Sequence, residues 1–208
     1  MIALRVTVPI ACWRKAHARE LLETEVIPPP STCYGALLSL VGETDRRRHI
    51  GARVTAGRFR VAERSVVLRT LWRIKDHSAP QGNGKNARPD FQQILAGSDL
   101  LLICDRGDET GGISLEDRVR EAFSQPGSVA RFGGWCLGES TNLINDAWVL
   151  DKEELPRCEV FELDTVGAIT LPVWVDHVGT TNTRYAVGAL NTRTELPSTE
   201  KIPVIHPH

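Results

Sequence analysis

The side chains in this chain best suited to proton transfer or metal binding are six histidines, His17, His49, His77, His177, His206 and His208. No two of them have the HxxxH or HExxH spacing that turns a pair of imidazoles toward one metal ion, so a metal hydrolase has no support. A GxSxG nucleophile turn is absent, and no glycine-rich phosphate loop follows a strand, so neither serine catalysis nor a nucleotide cofactor is expected. His206 and His208 flank Pro207 at a terminus and read as solvated. One reaction stays open. Metal-independent RNA cleavage needs a base for the 2′-hydroxyl proton and a cation for the developing oxyanion. His17 with Lys15, and His77 with Lys75, place such residue types close together, and His49 and Tyr34 are further candidates.

Binding chemistry is better supplied than catalysis. The chain carries 25 Lys+Arg against 26 Asp+Glu, a net charge of -1, which excludes a uniformly basic nucleic-acid protein. The distribution is uneven. Residues 42–90 hold 12 cations and 5 acids, residues 91–150 hold 4 and 9, and residues 151–208 hold 5 and 9. A local excess of this kind suits a protein that holds a polyanion on one face, although a solvated strand face reads the same way. Arg46, Arg47, Arg48 and His49 form a run, and Arg53, Arg58, Arg60, Arg69 and Arg73 extend the series, followed by Lys75, Lys85 and Arg88. Aromatics adjoin the cations: Trp13 stands beside Arg14 and Lys15, Tyr34 precedes the triple arginine, and Trp72 stands beside Arg73. Cations interleaved with stacking faces are the recipe for single-stranded nucleic acid, each stacked base contributing about 1–3 kcal/mol. Trp72 reads better as a core residue of its strand than as a stacking face.

The elements that must position these groups follow from periodicity. Ile2, Leu4, Val6, Val8 and Ile10 alternate as in a half-buried strand. Pro28, Pro29 and Pro30 impose an extended approach to a helix for which Ser31 is the expected N-cap, with Tyr34, Leu37, Leu38 and Val41 on one face and Gly42 ending it. Residues 52–60 and 65–74 read as two strands alternating Arg or Thr with apolar residues. Residues 75–90 lack periodicity and read as a long loop or a hairpin extension. Residues 100–104 form a buried strand, and Ser114 caps a helix reaching about Phe123, with Glu116 and Asp117 in its first turn. Glycines 127, 133, 134 and 138 then predict tight turns, and short apolar segments follow at 148–150, 160–163, 169–175, 184–190 and 203–205. This order predicts an α+β fold: a ferredoxin-like or RRM-type domain over residues 1–126 with an insertion at about 75–90. A glycine-rich element and a small β-rich lobe follow over residues 127–208.

Two hundred and eight residues with 41% hydrophobic and 25% charged composition suffice for a packed core. No apolar run reaches the ~18–20 residues of a membrane helix, and the first thirteen residues, interrupted by Arg5 and Pro9, do not read as a signal peptide. The five cysteines are scattered without a CxxC pair, which argues against structural zinc and for a reducing, cytoplasmic setting. No cofactor, metal or membrane is expected.

Two elements resemble a known family. The segment Pro29-Pro30-Ser31-Thr32-Cys33-Tyr34-Gly35-Ala36-Leu37-Leu38, with Gly42, is similar to the P-x-x-x-x-x-G-a-L-x-x-x-x-G first-helix pattern of the CRISPR-associated family-five proteins. Residues Gly133-Gly134-Trp135-Cys136-Leu137-Gly138-Glu139-Ser140 resemble that family's downstream x-L-G-x-S/R element. Both elements are most similar to the Myxococcus-type or type I-B branch. The resemblance implies a small subunit that caps the 5′ handle of the guide RNA (crRNA) in a type I Cascade complex, with a backbone subunit and a large subunit as protein partners and target DNA met only through the complex. It also implies that residues 75–90 form a thumb that grips the handle with the first helix and the glycine-rich element. The RNA-binding candidates are Arg14, Lys15, Tyr34, Arg46, Arg47, Arg48, Arg73, Lys75, Lys85, Arg88, Gly133 and Gly134. No aromatic lies between Lys75 and Arg88, so the thumb itself is not expected to stack on bases. The type I-C branch cleaves precursor crRNA with Tyr, Lys and His, a trio that does not map onto this chain. A non-catalytic binder is therefore the expectation, and a metal-independent endoribonuclease the alternative.

Overall fold

A computed structural model describes residues 1–16, 18, 21–72, 78, 86–151, 155–178 and 180–207, with the side chains of 70–72, 87 and 88 left out. The frame is one mostly antiparallel sheet. Strand β1 (Ile2–Ala11) is followed by the short β2 (Leu21–Leu22), helix α1 (Pro30–Leu40), β3 (Arg53–Arg58), β4 (Glu63–Trp72) and β5 (Ala87–Asp105). Helix α2 (Leu115–Ser124) leads to β6 (Asp146–Val149), β7 (Cys158–Leu163), β8 (Ile169–Trp174) and β9 (Arg184–Arg193). The strand order is β6-β1-β5-β3-β7-β9-β8, with β2 and β4 attached to β5. Helix α1 connects β1 to β3, and α2 connects β5 to β6, giving a β-α-β-β-α-β connectivity across the first four sheet positions. Strands after residue 126 pair into the same sheet: β6 on β1, and β7 on β3 through Gly57↔Val160 and Arg58↔Glu159.

Alternation sorts the side chains onto two faces. Ile2, Leu4, Val6 and Val8 of β1, with Leu100, Leu102 and Cys104 of β5, pack under both helices with Leu37, Leu115, Val119, Leu137 and Phe161. Ala3, Leu101 and Ile103 face the other way, onto Leu155, Val160 and Ile202. Ile10 departs from the expected pattern and is 53% exposed, whereas the next residue, Ala11, is fully buried in the helix-side core.

Strand β5 exceeds the short strand at 100–104 expected from composition. Its C-terminal part pairs with β1 and β3, from Ile2↔Cys104 and Arg53↔Asp105 downward. Its N-terminal part pairs with β4 in an unbroken register from Glu63↔Ala96 to Trp72↔Ala87. Residues 87–90 thus belong to a hairpin arm and not to a loop, since β4 supplies their ladder partners. Val66, Val67, Leu68 and Phe91 are exposed on this arm.

Both helix termini obey local rules. Helix α1 begins one residue before the expected Ser31 cap: Pro29 is the N-cap at φ -59 and ψ 151, and Pro30 occupies the first helical position, where its missing N–H costs nothing. At the other end Gly42 N–H donates to Ser39 O and Glu43 N–H to Leu38 O, a Schellman closure with Gly42 at φ +68. A Cβ on Gly42 would lie 2.2 Å from Ala130 O, so the position demands glycine twice over. Ser114 caps α2 as expected, its hydroxyl accepting from Asp117 N–H at 3.1 Å.

Phe161 is fully buried where β7 meets the helix-bearing face. Phe161→Ala is expected to lower unfolding free energy by about 3–5 kcal/mol in urea titrations, the usual cost of emptying a large aromatic site.

Candidate nucleic-acid interface

The chain leaving β1 turns across the end of α1, and Trp13 anchors it. Its indole N–H donates to Leu137 O at 3.1 Å and the side chain is 2% exposed. Trp13 is therefore core and not a stacking face, contrary to the expectation drawn from its neighbour Arg14. Trp135 performs the matching task from the glycine-rich element, its Nε1 donating to Ala36 O of α1 at 2.9 Å. Tyr34 is buried as well. Its hydroxyl donates to Arg46 O at 2.8 Å, and burial raises the phenol well above its ordinary pKa.

That hydrogen bond sets the loop after α1. Arg46 leaves it to lie over the Trp174 ring at 3.7 Å, donating through Nη2 to Val175 O at 2.8 Å. Burial lowers the Arg46 pKa from its ordinary value, yet a guanidinium stays charged at any physiological pH. The result is a cleft of about 520 Å³ with α1 on one side, Cys12 to Arg14 and Gly138 to Glu139 on another, and Pro172 to Val175 with His177 opposite. Arg14, Tyr34 and Arg46 all line it. Arg14 is exposed, and its Nη2 donates to Ala18 O at 3.5 Å.

Among the described residues, Arg48, Arg53, Arg58 and Arg69 are each taken up by a nearby acid or carbonyl instead of joining the cleft. Arg48 pairs with Glu43 at 3.1 Å, and Arg47 is exposed, its backbone N–H donating to Asp45. Arg53 donates to Ile202 O and Thr199 O and lies 3.5 Å from Asp108, Arg58 pairs with Glu159 at 2.7 Å, and Arg69 pairs with Glu139 at 2.7 Å. The alternation that sets them on strands also sends them to opposite faces, where local acids take them up. Lys15 pairs with Glu23 at 3.7 Å outside the cleft. Gly133 and Gly134 lie on an exposed turn, Gly133 at φ +82, with nothing within 4 Å of a Cβ on Gly133 and Leu143 3.0 Å from one on Gly134. Arg73, Lys75 and Lys85, with His17 and His77, lie outside the described residues, as does the side chain of Arg88.

His49 is buried as the hub of a polar chain. Nδ1 donates to Glu109 Oε2 at 2.6 Å, and Arg118 Nη1 faces Nε2 at 3.0 Å, which assigns the ring proton to Nδ1. Glu109 also accepts from Leu115 N–H at the start of α2, and Arg118 continues to Glu43 and to Val41 O. This chain ties the arginine loop to both helices. Sequence reasoning missed Trp174 and His177 as site residues, since nothing in the local pattern connects the end of β8 to the Arg46 loop, 129 residues before Val175; only the aromatic type of Trp174 was a signal.

Proteins of known structure share this architecture. A chain of a CRISPR RNA-guided surveillance complex superposes with a TM-score of 0.61 at 15% identity, covering 95% of this chain and 91% of that one. A Cas protein crystal structure superposes with a TM-score of 0.52 at 13% identity, covering 100% and 99%. At these identities the likeness speaks for the fold alone, and the fold is one found among CRISPR-associated proteins. No protein-family profile matches the chain. The CRISPR-associated protein Cas5 of Myxococcus xanthus (strain DK1622) is 56% identical over 207 residues, 99% of this chain and 97% of that relative. The chain belongs to the Cas5 family.

Glu43 carries a pH signature. The Asp45 backbone N–H and the Arg118 guanidinium lower its carboxyl from 4.5 to about 2. A depressed folded pKa contributes stability above the unfolded value that is lost as pH falls through the folded one. Wild type is expected to melt higher than Glu43→Gln near neutral pH, and the gap in thermal midpoint to close between pH 4.5 and about 2.

Proposed function

We propose that this chain is the RNA-binding subunit of a type I CRISPR effector (Cascade) complex, holding the 5′ handle of the crRNA without cutting it and capping the filament of backbone subunits. The family and the fold support a place in such a complex. One observation carries the RNA-binding half of the reading: Arg14 and Arg46 share a cleft in which their hydrogen bonds end on carbonyl oxygens, while Glu139 on the same rim is already paired with Arg69. A guanidinium held by a carbonyl and an aromatic ring keeps its charge and several N–H donors for a phosphate, and it is preorganised to receive one. The backbone and large subunits are its protein partners under this reading, and target DNA is met through the assembly.

The non-catalytic half is supported by two of the candidate acid–base groups, Tyr34 and His49, while His17 and His77 lie outside the described residues. The Tyr34 hydroxyl points inward to a backbone carbonyl, and both ring nitrogens of His49 are engaged in a buried chain. Neither is presented to the 2′-hydroxyl of a bound strand.

Two measurements test the proposal. Arg14→Glu is expected to weaken binding of single-stranded RNA matching the repeat-derived 5′ end by tenfold or more, and to lower the slope of log affinity against log salt by about 0.7 for each phosphate no longer neutralised. Equal affinity and equal slope would remove the cleft from the site. Purified protein incubated with repeat RNA in EDTA is expected to leave it intact, and cleavage at one position would establish the endoribonuclease reading instead.

A further inference from the structure

Helix α1 contains a glycine for which the chain's own packing gives no reason. Gly35 stands mid-helix and exposed, and a Cβ there meets no atom within 4 Å. Glycine inside a helix is destabilising relative to alanine, because it surrenders more backbone freedom on folding. At Gly57 and Gly188 the close approach is internal, a Cβ lying 2.5 Å from Glu159 O and 2.1 Å from Glu162 O, whereas Gly111, Gly112, Gly127 and Gly133, which like Gly35 meet nothing within 4 Å, stand outside the α-helices. At Gly35 the free space opens outward.

Two clefts meet at that space. The cleft of Arg14 and Arg46 includes Gly35, Leu38 and Ser39 in its lining, and so does a second cleft of about 690 Å³ bounded by Gly42 to Thr44 and Ala130 to Phe132. The far side of the second cleft carries Arg131 beside Phe132, whose ring is fully exposed. Its acid, Glu43, is taken up by Arg118 and Arg48. A strand entering at Arg14 and Arg46 and leaving at Arg131 must cross α1 where the side chain is missing.

We infer that the sugar-phosphate chain of the bound RNA passes over the outer face of α1 at Gly35, from the Arg14–Arg46 cleft to Arg131, with Phe132 stacking on a base beyond the crossing. Guanidinium groups at both ends match the polyanion, and the absent Cβ lets the backbone approach the helix. The inference rests on the handle-binding reading above.

The test uses the full chain, the same single-stranded RNA, and three variants. Gly35→Ala is expected to raise the thermal midpoint of the free protein, as helix propensity dictates, while weakening RNA binding severalfold; Gly35→Gln is expected to weaken it by tenfold or more. Phe132→Ala is expected to cost about tenfold, within the range for one stacked base. If wild type itself fails to bind the RNA, the handle reading falls and takes this inference with it. If wild type binds and both Gly35 variants bind equally well, the crossing is wrong and the handle reading stands. Gly35 variants that bind RNA normally but no longer join the backbone subunit would assign this helix face to a protein partner and overturn the proposal.

Discussion

The architecture turns on one strand that changes partners. Strand β5 pairs with β1 along one edge from Cys104 to Leu95, while along the other it passes from β3 (Asp105 to Leu100) to β4 (Ala96 to Ala87). The β1 ladder skips a pair there: Val8 faces Ser98 and Ile10 faces Ala96, with Pro9, which has no N–H, and Gly97 at φ +68 between them. Asp99 locks the junction. Its carboxylate accepts two hydrogen bonds from Arg5, at 2.9 and 2.7 Å, and its carbonyl accepts from Phe59 N–H. The Arg5 guanidinium in turn lies over the rings of Phe59 and Trp148. The first half of β5 continues beyond β1 with β4 along one edge and the short β2 at Phe91 and Gln92 on the other, and Val66, Val67, Leu68 and Phe91 stand in water on that arm.

The same economy of anchoring governs the cleft. Helix α1 is closed by the Schellman turn at Gly42, and the loop beyond is held by Tyr34 from below and by the Glu43–Arg118–His49–Glu109 chain from the side. Arg46 is thereby presented to Trp174 instead of sampling solvent, and a preorganised guanidinium loses less freedom when a ligand arrives. Buried polar groups here are fully engaged, which is what allows them to fix a loop in low dielectric surroundings.

Local signals were legible wherever one residue's own chemistry decides the outcome. The alternation of β1, the Gly42 stop and the Ser114 cap each appear at the expected place. The cap expected at Ser31 moved to Pro29, because a proline at the first helical position competes successfully with a serine one residue later. The strand alternation of residues 65–72 was legible, but its burial was not: Val66, Val67 and Leu68 pattern like core residues and are exposed, since burial depends on what else covers the strand. Of the RNA-binding candidates, Arg14, Tyr34 and Arg46 converge while Arg48 is taken by Glu43, and the strand arginines Arg53, Arg58 and Arg69 of the same cationic series also stand beside acids. A count of charges along a chain carries no information about which carboxylates will stand opposite.

The amino-acid sequence alone determined the α+β class, the two helices with the Gly42 stop and the Ser114 cap, and a family resemblance carried by the first helix and the glycine-rich element. These depend on periodicity, on proline and glycine backbone preferences, and on short-range spacing, all written in neighbouring residues. Only the tertiary structure decided that Trp13 is core, that Trp174 receives Arg46, and that two clefts meet over Gly35. Each of those facts joins segments far apart in the chain, and such meetings are set by the register of the sheet and by side-chain fit across it, not by any local pattern.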